Sequence, residues 1–509
     1  MSTTARHLER IARGGTLSVA GAGVAALSGF VVVALITNGY SKSEAGVLFS
    51  ASSLFLVLVA LAGLGMEVGL GRFVMRYLVE ARPAAVRADL RNTAAVSTTI
   101  GLVLGVALFL AAPQVASAIG LADAAGTDLL RVFAVALPFA AIGNWALGAS
   151  RAFQEIRLTV LIDKLFRALA QLALVALCVG LARGLVELAW AWALPMLLSA
   201  PLALWGLRRV ARRRLPAPAA AESSVGVVSE FWRFTWPRSI AQISQMVIQR
   251  ADIIIIGALI SPAAAAVYTA ATRFVPLGQI GVQAVQQVIQ PRFTELLATD
   301  DTESLRDVFR ITTSWNMALA WPIYAVIGSV PQLYLSIFGE GFVEQGRWVV
   351  VLMAVAMLAG VASGPVDTML LMSGRSSLSL VNSLVALAID LTLCFLLIPR
   401  VGIVGAAVAW CAAVVSRALL GYVQVRRTLG LSPLSTGSGR VALAVVGCFG
   451  LPLTALSVLG QGLNLWLVAL VFAVGVLAYG GVLWKLRSRL HLSALRSLLP
   501  GRRRKGGEQ

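Results

Sequence analysis

The sequence predicts an all-α membrane protein that crosses the bilayer about fourteen times. Hydrophobic residues make up 58% of its 509 residues and charged residues only 13%, about half the charged share of a soluble protein. Apolar stretches of ~20 residues, enough to cross the ~30 Å hydrocarbon core, recur from end to end. We place helices near 15–37, 46–70, 92–113, 128–149, 158–181, 186–206, 235–259, 263–289, 311–330, 347–372, 377–398, 402–423, 440–459 and 464–484.

Basic residues predict the orientation of the chain. The formal net charge is +19, and the 42 Lys and Arg residues are distributed very unevenly. They cluster in 72–91, 208–214 and 502–505, whereas the loops 114–127, 260–262 and 460–463 contain none. The positive-inside rule therefore places both termini and the basic loops on the cytoplasmic face of the plasma (inner) membrane. We expect these loops to contact anionic membrane lipids, and we expect no nucleic-acid partner.

An internal repeat predicts how the helices are grouped. Residues 45–52 (AGVLFSAS) match 265–272 (AAVYTAAT), and the same spacing aligns Arg72-Phe73 with Arg292-Phe293. This spacing contains six helices, so both halves enter the membrane in the same direction, as in transporters with parallel repeats. The predicted divisions are an N-terminal segment 1–13, a six-helix bundle 14–206, a basic linker 207–234, a second six-helix bundle 235–424, two extra helices in 440–484 and a basic amphipathic tail 485–509.

Buried arginines in two consecutive helices are the first candidates for substrate contacts. Arg250 lies nine residues before the outer end of the seventh helix, and Arg273 lies ten residues into the eighth. At ~1.5 Å per residue, both lie ~14 Å deep. Paired guanidiniums suit a phosphate or pyrophosphate, because each offers planar paired donors. Lys164 and Arg167 in the fifth helix are candidates for a second cationic site.

Amide side chains recur on the same two helices with helical spacing. The seventh helix carries Gln242, Gln245 and Gln249, and the eighth carries Gln279, Gln283 and Gln286. Residues three and four apart share one helix face. Contacts between helices would explain one or two such residues, but these ladders are longer. Amides both donate and accept hydrogen bonds, so the ladders predict a path for sugar hydroxyls.

Acidic residues inside the predicted helices are candidates for binding a coupling ion. The candidates for Na⁺ or H⁺ are Asp252, Asp163, Asp390 and Asp367. Structural ion pairs are the alternative explanation, because buried charges in membranes are usually paired. Asp163 and Arg167 are four residues apart on one helix face. Asp252 has Arg273 as a candidate partner, and Asp367 and Asp390 have Arg417.

No enzymatic site is predicted from the sequence. It contains no phosphate-binding loop, HExxH motif or nucleophile elbow, and its four cysteines lack the spacing of metal or redox sites. We therefore expect no catalytic residues, no metal site and no cofactor beyond a coupling ion. Short outer loops disfavour a membrane glycosyltransferase or polymerase, although this class remains an alternative.

Several motifs resemble the oligosaccharide flippases (Wzx-type) of the multidrug/oligosaccharidyl-lipid/polysaccharide exporter superfamily. They are Asp252-Ile-Ile-Ile-Ile-Gly257, Ala266-Val267-Tyr268-Thr269-Ala270-Ala271, Phe338-Gly339, Phe342, Gly374-Arg375, Asn382, Ile398-Pro399, Gly402 and Gly405-Ala406-Ala407. The resemblance, over roughly residues 10–430, implies two six-helix bundles around a central cavity and alternating access. It also implies a polyprenyl-diphosphate-linked oligosaccharide as substrate, with other polysaccharide-assembly proteins as candidate partners. A lipid II flippase and a cation-coupled multidrug or small-molecule exporter are the alternatives within the superfamily.

Overall fold

The computed structural model describes residues 3–121, 124–215, 227–433, 435–459 and 465–487, and within these ranges all regular secondary structure is helical. Fourteen helical passes follow one another. They are α1 (Thr3–Gly39), α2 (Lys42–Gly63 and Met66–Val79), α3 (Pro83–Leu110), α4 (Ala124–Ala152), α5 (Ile156–Thr159, Val160–Arg167 and Ala168–Gly180), α6 (Leu185–Arg214), α7 (Val227–Leu259), α8 (Pro262–Thr272 and Val275–Ala298), α9 (Thr302–Ser329), α10 (Phe342–Ala362 and Val366–Met372), α11 (Ser376–Val401), α12 (Ile403–Leu429), α13 (Thr436–Val445, Val446–Gly450 and Leu451–Leu459) and α14 (Leu465–Lys485).

The predicted all-α membrane fold is confirmed. By length and composition, 10 helices of the described chain can each cross a membrane: α1 to α4, α6 and α10 to α14. The remaining four, α5, α7, α8 and α9, are less uniformly apolar, because they contain charged and amide residues such as Arg167, Asp252 and Asn316. Helices of low hydropathy in such a protein must direct their polar faces towards each other or towards a water-filled cavity. The candidate site lies among three of them, α7, α8 and α9.

Several helices extend beyond their predicted boundaries. α1 begins at Thr3, α6 continues through Arg214 and α7 begins at Val227. The predicted linker 207–234 is therefore helical at both ends. Arg212, Arg213 and Arg214 lie in the last turn of α6, where cations interact favourably with the helix dipole. Residues 1–2 of the predicted N-terminal segment and 488–509 of the predicted tail lie outside the described residues.

The two halves have parallel features, as the repeat predicts. A short helix follows the third pass of each half, Ala112–Ala118 after α3 and Pro331–Ser336 after α9. α13 and α14 stand outside this repeat and pack on α9, where the Tyr479 hydroxyl donates to the Ala318 carbonyl at 2.9 Å. We call the side where α6 ends and α7 begins the linker side, and the opposite one the far side.

On the far side, small residues let the two halves approach closely. Gly46 of α2 lies so near α8 that a Cβ built on it would be 1.6 Å from the carbonyl oxygen of Pro262. Gly257 of α7 is similarly tight against Ser50. Small residues at helix interfaces allow this backbone approach in membranes. The halves are therefore in direct contact on the far side.

A break in α2 was not predicted. Leu64 (φ 39°) and Gly65 (φ 55°) both adopt the left-handed conformation, which is unfavourable for a leucine. The Ser239 hydroxyl of α7 donates to the Leu64 carbonyl, one of the groups that the break frees. The second segment of α2 consequently packs against the first half of α7, with Phe73 5.7 Å from Phe231 between ring centroids.

Candidate functional site: a cationic, amide-lined cavity in the second half

A cavity of about 750 Å³ lies in the second half, lined by residues of α7 to α12. It is formed where two helices are interrupted. α8 breaks between Thr272 and Val275, just before Pro276, and α10 breaks at Gly364 (φ 76°) before Pro365. Such breaks free backbone groups from the helical ladder, which membrane proteins tolerate beside cavities.

Arg250 and Arg273 both line this cavity. Within the described chain, neither guanidinium donates a hydrogen bond or forms an ion pair, and the Nε of each is buried without a partner. Their charges repel each other. Asp252 also lines the cavity and attracts both guanidiniums, but it forms no ion pair with either. Two positive charges near one carboxylate leave a net positive charge that attracts an anion.

Five of the six predicted glutamines line the same cavity, on two facing helices. They are Gln245 and Gln249 of α7 and Gln279, Gln283 and Gln286 of α8. The sixth, Gln242, is not among the lining residues; its amide donates to Glu67 of α2 at 3.4 Å. Asn316 of α9 also lines the cavity, and its amide oxygen is buried without a hydrogen-bond partner. Asn316 was missed because α9 contains no second amide side chain at helical spacing from it.

A third arginine at the cavity is paired. Arg417 of α12 contacts Asp367 of α10 at 2.6 Å and donates to Gln245 of α7. The alternative partner considered for Arg417, Asp390, is wrong. Asp367 lies after the break in α10, and its side chain is engaged in this pair, so it is a poor candidate for the ion-coupling role.

Asp252 and Asp390 are deeply buried, at 3% and 0% exposure. Asp252 accepts a hydrogen bond from the Tyr268 hydroxyl at 2.5 Å and from the Ile253 amide at 2.8 Å, so its suggested pairing with Arg273 is wrong. Both carboxylate oxygens of Asp390 lack a hydrogen-bond partner in the described chain. Among the four acidic candidates, Asp390 is thus the one with neither carboxylate oxygen engaged, which favours binding of a proton or a cation.

Lys164 and Arg167 do not line this cavity. Lys164 contacts Asp163 at 2.9 Å and Arg167 contacts it at 3.2 Å, which confirms the predicted Asp163–Arg167 pair. Arg167 also donates to Ser199 and Asn144, both at 2.6 Å. These three charged residues lie together in the π-helical segment of α5, where Asp163 compensates only one of the two positive charges. The suggested second cationic site stays a prediction.

No group of three or more metal-ligating side chains occurs among the residues that the structure describes. The arrangement around the cavity instead suits hydrogen bonding and anion binding. Guanidiniums supply charge, and amides supply both donors and acceptors.

The fold resembles that of several transporters. The lipid II flippase MurJ in its inward closed conformation matches with a TM-score of 0.70 and 11% identity, over 93% of this chain and 98% of that one. An inward-facing multidrug resistance MATE family transporter of the MOP superfamily matches with a TM-score of 0.63 and 15% identity, over 84% and 95%. A MOP superfamily transporter from Pyrococcus furiosus matches with a TM-score of 0.58 and 15% identity, over 84% and 99%.

No curated protein matches the chain. A family model described as polysaccharide biosynthesis protein matches residues 22–344, well over half of the sequence. The chain therefore belongs to this family of polysaccharide biosynthesis proteins, as a multi-pass membrane protein with the fold of the MOP superfamily transporters.

Proposed function

We propose that this protein flips a polyprenyl-diphosphate-linked oligosaccharide across the plasma membrane for the synthesis of a cell-surface polysaccharide. The observation that carries the proposal is that Arg250 and Arg273, which form no ion pair with the described residues, share one cavity with five glutamines. The protein would act as a transporter and not as an enzyme, by exposing this cavity to each side of the membrane in turn.

The diphosphate is the group that we assign to the two arginines. On insertion scales, each basic residue near the membrane centre costs ~2.5–3.5 kcal/mol. Arg167 and Arg417 form ion pairs with acidic residues of the protein, whereas Arg250 and Arg273 form none with the described residues and share only the longer-range attraction of Asp252. A diphosphate carries enough negative charge to neutralise both and accepts paired hydrogen bonds from each planar guanidinium.

The glutamines are assigned to the sugar. A volume of about 750 Å³ is within the range of ~300–1,000 Å³ typical of ligand pockets. It accommodates the diphosphate and the first sugars, while the prenyl tail stays in the lipid. Because amides donate and accept, one lining can satisfy hydroxyls in several orientations, which suits a glycan that must bind and leave.

Alternating access follows from the contacts between the halves. The tight packing of the two halves around Gly46 and Gly257 supports a state that is closed on the far side. In this state the cavity lies on the linker side of that contact. The basic residues that end α6 support a cytoplasmic linker side. The substrate would then be loaded from the cytoplasmic leaflet and released after the far-side contact opens.

The proposal is tested in a deletion strain. The strain should accumulate the polyprenyl-linked glycan facing the cytoplasm, as measured by mass spectrometry and by protection from an added periplasmic glycosidase. Complementation with the wild-type gene should reverse the accumulation. An unchanged amount and sidedness of the lipid-linked glycan would contradict the proposal. If the accumulated lipid were lipid II, the substrate would be the peptidoglycan precursor instead.

One observation favours a cation-coupled exporter as the second candidate. The carboxylate of Asp390 is fully buried, is unpartnered in the described chain and interacts with that of Asp252. We assign a coupling H⁺ or Na⁺ to these two residues, which is compatible with either substrate class. Drug sensitivity on deletion, without accumulation of a lipid-linked glycan, would favour the exporter.

A further inference from the structure

A second cationic cluster lies outside the cavity, where α2 and α7 meet on the linker side. The ring of Phe234 (α7) has the guanidinium of Arg238 (α7) 3.7 Å from its centroid and that of Arg72 (α2) 4.2 Å from it. Both guanidiniums therefore contact the same aromatic ring. We call Arg72, Phe234 and Arg238 the arginine sandwich.

The two positive charges of the sandwich have no acidic partner among the described residues. The neighbouring carboxylates are already engaged, because Arg76 contacts Glu80 at 2.8 Å and Glu230 at 2.6 Å. Arg238 donates to the Phe234 carbonyl at 2.9 Å and, more weakly, to the Ser376 hydroxyl at 3.4 Å. Both partners are neutral, so the repulsion between Arg72 and Arg238 is uncompensated.

The position of the sandwich suits a lipid headgroup. Arg72 is seven residues before the end of α2 at Val79, or ~10 Å along the helix axis. Its side chain is exposed and Arg238 is half-buried. The cluster joins the first half, through α2, to the second half, through α7 and the start of α11.

We propose that the arginine sandwich binds a phosphate-bearing lipid headgroup on the linker side. The two guanidinium carbons lie at most about 8 Å apart, because they are 3.7 Å and 4.2 Å from the same centroid. A phosphate group beside the ring can accept hydrogen bonds from one guanidinium while it remains close to the charge of the other. The bound anion cancels their repulsion and thereby stabilises the contact between α2 and α7. This site is separate from the cavity and does not depend on the substrate proposed above.

Binding is measured by native mass spectrometry on the purified full chain. The probes are phosphatidylglycerol and a prenyl diphosphate, each compared with zwitterionic phosphatidylethanolamine. The variants are Arg72→Gln and Arg238→Gln. Arg209→Gln is the matched control, since Arg209 lies near the linker-side end of α6 and is stacked alone on Trp205 at 5.4 Å. Arg72→Gln alters an exposed side chain, so it tests the site without disturbing buried packing.

We expect both sandwich variants to bind an anionic lipid about ten-fold more weakly, and the control to bind as the wild type does. Loss of phosphatidylglycerol binding would identify an anionic membrane phospholipid as the ligand. Loss restricted to the prenyl diphosphate would identify the headgroup of a prenyl-linked lipid. Equal binding by all variants, or an equal loss in the Arg209→Gln control, would overturn the proposal.

Discussion

The two halves of the molecule bury arginines in opposite ways. In the first half, Arg167 contacts Asp163 and donates to Asn144 and Ser199, so its charge and hydrogen bonds are largely satisfied inside the protein. In the second half, Arg250 and Arg273 line a cavity without an internal partner in the described residues. A buried cation with its own acid stabilises the fold, whereas a buried cation without one is available to a ligand.

The same contrast appears within the cavity. Arg417 is held by Asp367 and Gln245, and it joins α12 to α10 and α7. Arg250 and Arg273, on the neighbouring helices, keep their donors free. Burial alone therefore does not identify the candidate functional arginines, and a direct ion pair separates Arg417 from the other two.

The largest effect is expected in the first half. Arg167→Ala leaves Asp163 with only Lys164 and removes the donor to Asn144 and Ser199. Breaking a buried ion pair typically costs about 3–5 kcal/mol, so the variant should unfold at a clearly lower denaturant concentration or temperature. Circular dichroism in detergent measures this. A variant as stable as the wild type would contradict the structural role of the pair.

For Arg273→Ala we expect unchanged stability and weaker binding of the ligand. The protein should insert and keep its stability, because no internal partner in the described chain loses a hydrogen bond. Binding of a prenyl-diphosphate-linked glycan should weaken by roughly 10- to 100-fold, the equivalent of about 1.5–3 kcal/mol for a hydrogen bond to a charged group. Calorimetry measures the affinity. Arg273→Lys, which keeps the charge without the planar donors, should recover part of it.

A smaller effect is expected from single glutamines of the cavity. Gln283→Leu should weaken binding of the glycan-bearing lipid about five-fold, in keeping with ~1 kcal/mol for a neutral hydrogen bond. Binding of the prenyl diphosphate without sugar should not change. Gln242→Leu is the matched control, since Gln242 lies outside the cavity and contacts Glu67. An equal loss in both variants would remove the glutamines from the sugar path.

Much of this organisation was predictable from local sequence. The length of the apolar runs determines the number of helices, and the spacing of three and four residues places the glutamines of α7 and α8 on single faces. The positions of Arg250 and Arg273 in consecutive helices were enough to predict that the two side chains lie near each other, and both line one cavity. These features depend on residues within one or two helices.

Other features depend on contacts between residues far apart in the chain. The carbonyl of Leu64, which has a left-handed backbone conformation, accepts a hydrogen bond from the Ser239 hydroxyl. The Gln242 amide donates to Glu67 and does not line the cavity. Asp367 and Asp390 looked equivalent in the sequence, yet only Asp367 reaches Arg417. Which charges are paired is decided by tertiary packing, so the sequence could name the candidates without separating structural from functional ones.

The central claim is that the unpaired arginines of the second half carry a lipid-linked oligosaccharide across the bilayer. Its most direct test is a flipping assay in proteoliposomes that contain the purified protein and a fluorescent prenyl-diphosphate oligosaccharide. The account predicts that the wild-type protein exposes the headgroup to an external quencher at a rate well above that of empty liposomes, and that Arg273→Ala does not. Equal rates for the wild type, Arg273→Ala and empty liposomes would contradict the proposed function, and full activity of Arg273→Ala would remove this arginine from it.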